Sequence, residues 1–231
     1  MAKKDKSGNE IFESAEALQK EFVKAESFVE KNKTILLGIV GVLVAAVAIF
    51  FGYKYYNQTQ DTEAQAAMFD SVYYFEQDSL DLALNGTGGN AGLLEIADSY
   101  GSTPAGNLAN FYVGTIYLQQ GKFDEAIEHL SNYSSSDLVL QGKAYCLIGD
   151  ANMEKGNTSE AISAYKKAAD YKPNKFITPG YLMKLATAYE TANETDGALE
   201  AYSKLVEQYP NANESLTAKK YKSMLEAQAG E

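Results

Sequence analysis

The sequence predicts an all-α chain: one N-terminal membrane-spanning helix followed by an α-solenoid of short helical repeats. Three observations carry this. A run of 18 uncharged residues, Ile35 to Gly52, lies near the N-terminus. From Gly114 onward, Ala, Gly, Tyr and Pro positions recur at intervals of 34–37 residues. The acidic excess is confined to the residues that follow the run: residues 55–231 hold 12 Lys and 24 acids, whereas residues 1–34 hold seven of each.

Composition excludes several classes at once. The chain has 20 Lys, no Arg and a net charge of −11. Nucleic-acid recognition rests on neutralising phosphates and on the planar Arg fork, so nucleic acid is not an expected partner. A single Cys, Cys146, excludes an internal disulfide framework. The acidity of the C-terminal part serves solubility and favours basic or apolar partners.

Residues 1–34 are expected to be a cytoplasmic segment with a short amphipathic helix. Ile11, Ala15, Leu18, Phe22, Ala25 and Val29 follow a 4, 3, 4, 3, 4 spacing that places them on one helical face. Residues 35–53 are expected to be the transmembrane helix. As a helix the uncharged run spans ~27 Å, close to the ~30 Å hydrocarbon core. Lys31 and Lys33 precede it, and Tyr53, Lys54, Tyr55 and Tyr56 follow as an interfacial belt. The run exceeds the ~7–15 residues of a signal-peptide core, so it is expected to be retained. Lys20, Lys24, Lys31 and Lys33 crowd its N-terminal side, whereas no Lys follows Lys54 until Lys122. Positive flanks stay cytoplasmic, so the N-terminus is expected inside and the C-terminal domain outside, in the periplasm of a bacterium. Gly38, Gly41, Ala45, Ala48 and Gly52 share one face of this helix. Small residues let helix backbones approach closely in lipid, so this seam is expected to pack against a partner span or a second copy.

Residues 54–231 are expected to form the repeat domain. Helices are predicted over Thr62–Leu84 and Ala91–Tyr100, with Gly86–Asn90 as a loop. The stretch Gly114-Thr-Ile-Tyr117-Leu-Gln-Gln-Gly121-Lys-Phe123-Asp-Glu-Ala126-Ile127 resembles a tetratricopeptide unit, two antiparallel helices A and B. A second unit carries Gly149, Gly156, Ala161, Ile162, Tyr165, Ala168 and Pro173; a third carries Ala186, Tyr189, Ala198, Leu199, Tyr202 and Pro210. Ala126, Ala161 and Ala198 are expected at close helix crossings. Gly121 and Gly156 suit the tight A–B turn, where Asn193 stands in the third unit. Pro173 and Pro210 end helix B, because proline lacks the N–H that the ladder needs. The extra length between units is expected at Asn174–Pro179. Ser215 to Ala229 reads as a terminal helix covering the last repeat.

With these residues in order, a wider resemblance emerges. The anchor, the Tyr53/Tyr55/Tyr56 cluster, the helix at Ala64–Phe69 and the segment Leu94-Glu-Ile-Ala-Asp-Ser-Tyr100-Gly-Ser-Thr-Pro-Ala-Gly-Asn-Leu-Ala109 lead into the repeats. Over residues 20–210 this order resembles the bacterial ancillary subunit of the SecYEG translocon, a single-pass inner-membrane protein with a periplasmic tetratricopeptide domain. The resemblance implies protein partners: translocon subunits, periplasmic chaperones or unfolded clients. The alternative is a structural scaffold or assembly factor of a cell-envelope complex, in division or surface-protein assembly.

No phosphate loop, zinc spacing or nucleophile elbow occurs, and no catalytic residue, metal or cofactor is expected. His129 is expected on the outer face of helix B, and Cys146 as a small apolar contact on helix A. Asp70-Ser71-Val72 and Asp78-Ser79-Leu80 resemble short acceptor patterns for serine O-glycosylation. Tetratricopeptide ligands commonly lie in the concave groove lined by helix A. The repeat register places there Leu108, Phe111, Thr115, Leu118 and Gln119, then Lys143, Cys146, Asp150, Met153 and Glu154, then Met183, Thr187 and Glu190. This set holds one Lys, is apolar at one end and acidic in its middle. It predicts weak, broad binding of extended segments that mix apolar and Lys/Arg residues.

Overall fold

The computed structural model describes residues 15–229, with side chains over 18–228. Among these the chain is all-α, apart from one minimal hairpin. The elements are α1 (Ala15–Glu76), α2 (Leu80–Asn85), β1 (Gly86–Thr87), β2 (Asn90–Ala91), α3 (Leu93–Ser99), α4 (Pro104–Gln119), α5 (Phe123–Asn132), α6 (Leu140–Glu154), α7 (Thr158–Asp170), α8 (Thr178–Thr191), α9 (Thr195–Gln208) and α10 (Asn213–Ala229). The antiparallel hairpin pairs Gly86 with Ala91 and Thr87 with Asn90. The chain divides into two compact units between Tyr56 and Asn57, and α1 contributes to both.

In the first unit, α1 is the one described helix long and apolar enough to cross a membrane. The apolar side chains from Ile35 to Phe51 are exposed or half-exposed. The sequence reading expected a separate amphipathic helix, a span and a new helix starting at Thr62. The structure instead has one continuous helix through all three. No proline interrupts it, and two of its polar side chains bond back to its own carbonyls: Asn32 Nδ2 donates to Phe28 O at 2.8 Å, and Thr62 Oγ1 to Gln58 O at 3.0 Å. Ile11 lies outside the described residues.

The second unit is built on four copies of one turn. In each, the last helical residues are followed by a residue of positive φ: Asp78 at 58°, Gly121 at 73°, Gly156 at 78° and Asn193 at 58°. The next amide then reaches back five residues. Ser79 N donates to Tyr74 O, Lys122 N to Tyr117 O, Asn157 N to Asn152 O and Glu194 N to Tyr189 O, all at 2.8–2.9 Å. This is the Schellman closure, which satisfies helix-end carbonyls and needs a left-handed residue at its corner. Glycine takes that conformation freely, and Asn and Asp tolerate it. Five residues past each corner stands an alanine: Ala83, Ala126, Ala161 and Ala198, all 0% exposed. The unit therefore contains four helix pairs, one more than the repeat pattern predicts. In the first pair helix B is interrupted: α2 stops at Asn85, and the hairpin leads into α3. The predicted helix Thr62–Leu84 is accordingly broken at Gln77–Ser79.

The crossings are close for definable reasons. A Cβ on Gly114 would come within 2.6 Å of Leu130, and one on Gly149 within 2.5 Å of the Tyr165 ring. The longer connection before α8 spans 171–177, shifted from the predicted Asn174–Pro179, because Thr178 and Pro179 already belong to the first turn of α8. Asn174 organises it. Its Oδ1 accepts from Phe176 N and Ile177 N at 3.0 and 3.2 Å, and its own N–H donates to Thr178 Oγ1 at 2.8 Å. Helix α10 covers the last pair with Ala218 and Leu225, and Tyr221 stacks on Tyr202 at 6.1 Å.

Candidate functional site

The concave surface follows from the four corners. On helix A, residues three, six and ten places before the corner fall on one face. Counting back from Gly121, Gly156 and Asn193 gives Leu118, Thr115 and Phe111; Met153, Asp150 and Cys146; and Glu190, Thr187 and Met183. The structure draws together Leu118, Gln119, Asp150, Met153, Glu154, Met183 and Thr187, from α4, α6 and α8, as walls of one open basin of about 650 Å³. Phe123, Tyr165, Lys184 and Ala188 complete it.

Phe111 and Cys146 do not reach this surface. Phe111 is 8% exposed, packed with Leu130, Tyr133, Ala144 and Leu147 between successive pairs. Cys146 is 1% exposed, and burial pushes its thiol up to about 12. The tenth-position residue is thus packed inside at two of these three units and reaches the basin only as Met183. Thr115, Lys143 and Glu190 lie outside the basin walls. Leu108 lines a different basin, described below.

The electrostatics differ from those the sequence suggests. Asp150 Oδ1 accepts from Lys184 Nζ at 2.6 Å and from Tyr165 Oη at 2.7 Å. Burial, and then this bond to a carboxylate, hold the Tyr165 hydroxyl far above the usual tyrosine range, so it acts as a donor. Glu190 accepts likewise from Tyr202 Oη, whose pKa is raised by burial and then by that bond. Two of the three acids expected to face a ligand are thus engaged inside the protein, leaving Glu154. Lys184, which the sequence register left out, is a second cation on this side. The basin is close to neutral, and the preference for basic segments loses its main support there.

A second basin, about 640 Å³, lies on the first helix pair. Its walls are Gln65, Met68, Phe69, Val72, Tyr73 and Glu76 of α1, with Pro104, Ala105 and Leu108 of α4. Counted back from Asp78, Val72 and Met68 occupy the sixth and tenth places, so this basin belongs to the same concave register. Sequence reasoning missed it because the corner residue is Asp rather than Gly and the helix after it is cut short. The alanine five residues on, Ala83, was the signal that could have found it.

His129 is not on the outer face. It is half-buried, with Nδ1 2.9 Å from Asn110 Oδ1 and its ring 5.6 Å from Tyr117, and burial lowers its pKa. Ser71 is 1% exposed and donates to Ala91 O at 2.9 Å, which closes it as an acceptor for modification; Ser79 is half-buried at the first corner. Along the apolar part of α1, a Cβ on Gly38, Gly41 or Gly52 would meet nothing within 4 Å, and Ala45 and Ala48 are exposed, so among the described residues this seam is uncovered. Among the described residues no three His, Cys, Asp or Glu side chains gather as a metal site requires.

Comparison with known proteins agrees with the turn geometry. Residues 26–137 match the family described as a tetratricopeptide repeat-like domain, and residues 113–176 and 146–213 match the tetratricopeptide repeat family. Together the matches span all four corners. The chain therefore carries tetratricopeptide-type repeats, and repeats of this type are protein–protein interaction modules. No curated protein matches the chain.

Proposed function

We propose that this chain is a membrane-anchored, non-catalytic adaptor: α1 crosses the bacterial inner membrane once with its N-terminus cytoplasmic, and the periplasmic repeats bind extended protein segments beside the Sec translocon, passing them towards chaperones. On this reading residues 1–34 are cytoplasmic, 35–53 span the membrane and 54–231 form the binding domain. The observation that carries it is the convergence of three successive helix-A faces on one open basin, in a chain whose described residues hold one helix long and apolar enough to cross a membrane. Leu118, Met153 and Met183 supply adaptable apolar contacts there, and Gln119 and Thr187 supply hydrogen-bonding groups for a peptide backbone. The lysine asymmetry around the span supports the orientation. The order of elements over residues 20–210 supports the translocon as the neighbour.

The test is a photoreactive residue in place of Leu118, Thr187 or Gly41 in the full chain in bacterial cells, with a periplasm-dependent reporter fused after Glu231. Adducts with translocon subunits or newly exported proteins, together with an active reporter, are expected. An inactive reporter overturns the orientation. Adducts arising only from seam positions such as Gly41 favour a second reading, a scaffold of an envelope complex, which the uncovered small-residue seam supports.

A further inference from the structure

The basin on the first helix pair has a chemistry of its own. Phe69 is 75% exposed and Tyr73 54%, and with Met68, Val72 and Leu108 they form an apolar trough. Its α1 wall runs from Gln65 to Glu76, three helical turns or about 16 Å. The second wall is the first turn of α4, so the trough lies between two helices. That shape seats a third helix, as ridges enter grooves elsewhere in such arrays.

Charge selects among helices. From Tyr55 to Gly121 the chain carries eight carboxylates and no Lys or Arg. Glu76 stands at one end of the trough with no ion-pair partner among the described residues. Asp61, beside the other end, is engaged within the protein, accepting from Ala105 N at 2.8 Å and from Gln65 Nε2 at 2.7 Å. The neighbouring basin differs, since Lys184 already neutralises Asp150 there.

We propose that the trough between α1 and the start of α4 is a docking site for an amphipathic helix of another protein, with apolar residues on one face and Lys or Arg along its margins. Phe69 and Tyr73 supply the large, stiff aromatic area that dominates such contacts. The Glu76 carboxylate, within a stretch that carries acids and no cation, selects against acidic helices and steers basic ones in. This inference rests on the first helix pair alone and stands whether or not the translocon is the neighbour.

The probe is a synthetic peptide of about 18 residues, a helix of about 27 Å, with Leu on one face and Lys on its margins. A Leu/Glu peptide of the same pattern is the charge control. The full chain is held in neutral maltoside micelles, and binding is read by fluorescence anisotropy against empty micelles. The Lys peptide is expected to bind at least about tenfold more tightly than the Glu peptide. The double substitution Phe69→Ala, Tyr73→Ala is expected to weaken it by about tenfold or more. Glu76→Lys is expected to weaken it too; Leu216→Ala, exposed on α10, leaves it unchanged, and Met153→Ala, Met183→Ala in the other basin weakens it less than the Phe69/Tyr73 change does. Because Phe69, Tyr73 and Glu76 are exposed, these variants keep the fold, which circular dichroism checks. A photoreactive benzoylphenylalanine in place of Tyr73 is expected to join covalently to the Lys peptide. Equal binding of the two peptides, full binding by the Phe69/Tyr73 variant, or loss confined to the Met153/Met183 variant overturns the proposal. So does a Tyr73 adduct formed with a second copy or with detergent in preference to the peptide.

Discussion

Gly149→Ala isolates the packing on which the repeat geometry depends. The added methyl would lie 2.5 Å from Tyr165 Cε1 and 2.6 Å from Cδ1, well inside van der Waals contact. The ring cannot swing aside freely. Tyr165 is 4% exposed, and its hydroxyl is held by Asp150 at 2.7 Å. Overpacking of this kind costs ~1–3 kcal/mol. If the ring moves, a hydrogen bond to a charged group worth ~1.5–3 kcal/mol weakens as well. Replacing a mid-helix glycine returns about 1 kcal/mol of helix propensity. The net expectation is a loss of about 2 kcal/mol, which for a domain of this size lowers Tm by about 4–8 °C. Thermal unfolding of the full chain in micelles, followed by far-UV circular dichroism, reads it. In a Tyr165→Leu background the ring is gone, and the same substitution should become neutral or mildly stabilising. A Tm that is unchanged in the native background, or an equal loss in the Tyr165→Leu background, refutes the argument.

Four further outcomes follow from the same structure. Ala83→Leu should cost ~1–3 kcal/mol, as at Ala126, because both are 0% exposed at the same place after a corner; Leu82→Ala, on the exposed side, should stay within about 0.5 kcal/mol in urea titrations. His129 has its pKa lowered from 6.5 by burial, so the unfolded chain takes up the proton first. Stability should therefore be constant above about pH 7 and fall as the pH drops through 6.5 towards the lower folded value, and His129→Asn should flatten that slope. Cys146, with its thiol pushed up to about 12, should resist thiol reagents in the native protein and react only on unfolding. On the anchor, Gly41→Leu and Ala45→Leu should reduce span association in a membrane two-hybrid assay, whereas Val40→Leu and Val44→Leu should not; equal effects at both sets would remove the seam.

Much of the architecture was legible because repeats betray themselves by what they cannot vary. Ala126, Ala161 and Ala198 are fixed by helix contact, and Gly121 and Gly156 by backbone handedness, so they recur whatever the surface does. The first pair escaped notice through two local departures, Asp78 at the corner and the hairpin at Gly86–Ala91, although its alanine kept step. The length of α1 was hidden differently. Composition changes along it from charged to apolar to polar, but a helix ends where its backbone finds another partner, and none occurs before Gln77.

The site was legible in register but not in charge, and the reason lies in the spacing between repeats. A helical period puts Asp150 and Glu154 on the helix-A face that lines the basin. It says nothing of what the next repeat lays across them. Lys184 reaches Asp150 from α8, and Lys204 reaches Asp170 from α9, at 2.6 and 2.9 Å. Both pairs are 34 residues apart, one repeat length, with one in the helix-A layer and one in the helix-B layer. A Lys one repeat after an Asp is therefore a mark that the acid is spoken for within the solenoid. Applied to the acids of the first pair, the same rule finds no Lys one repeat later: position 95 follows Asp61 by 34 residues and is Glu, and position 110 follows Glu76 and is Asn. Asp150 of the C-terminal basin is thus spent on holding repeats together, whereas Glu76 of the N-terminal basin is left to face a partner.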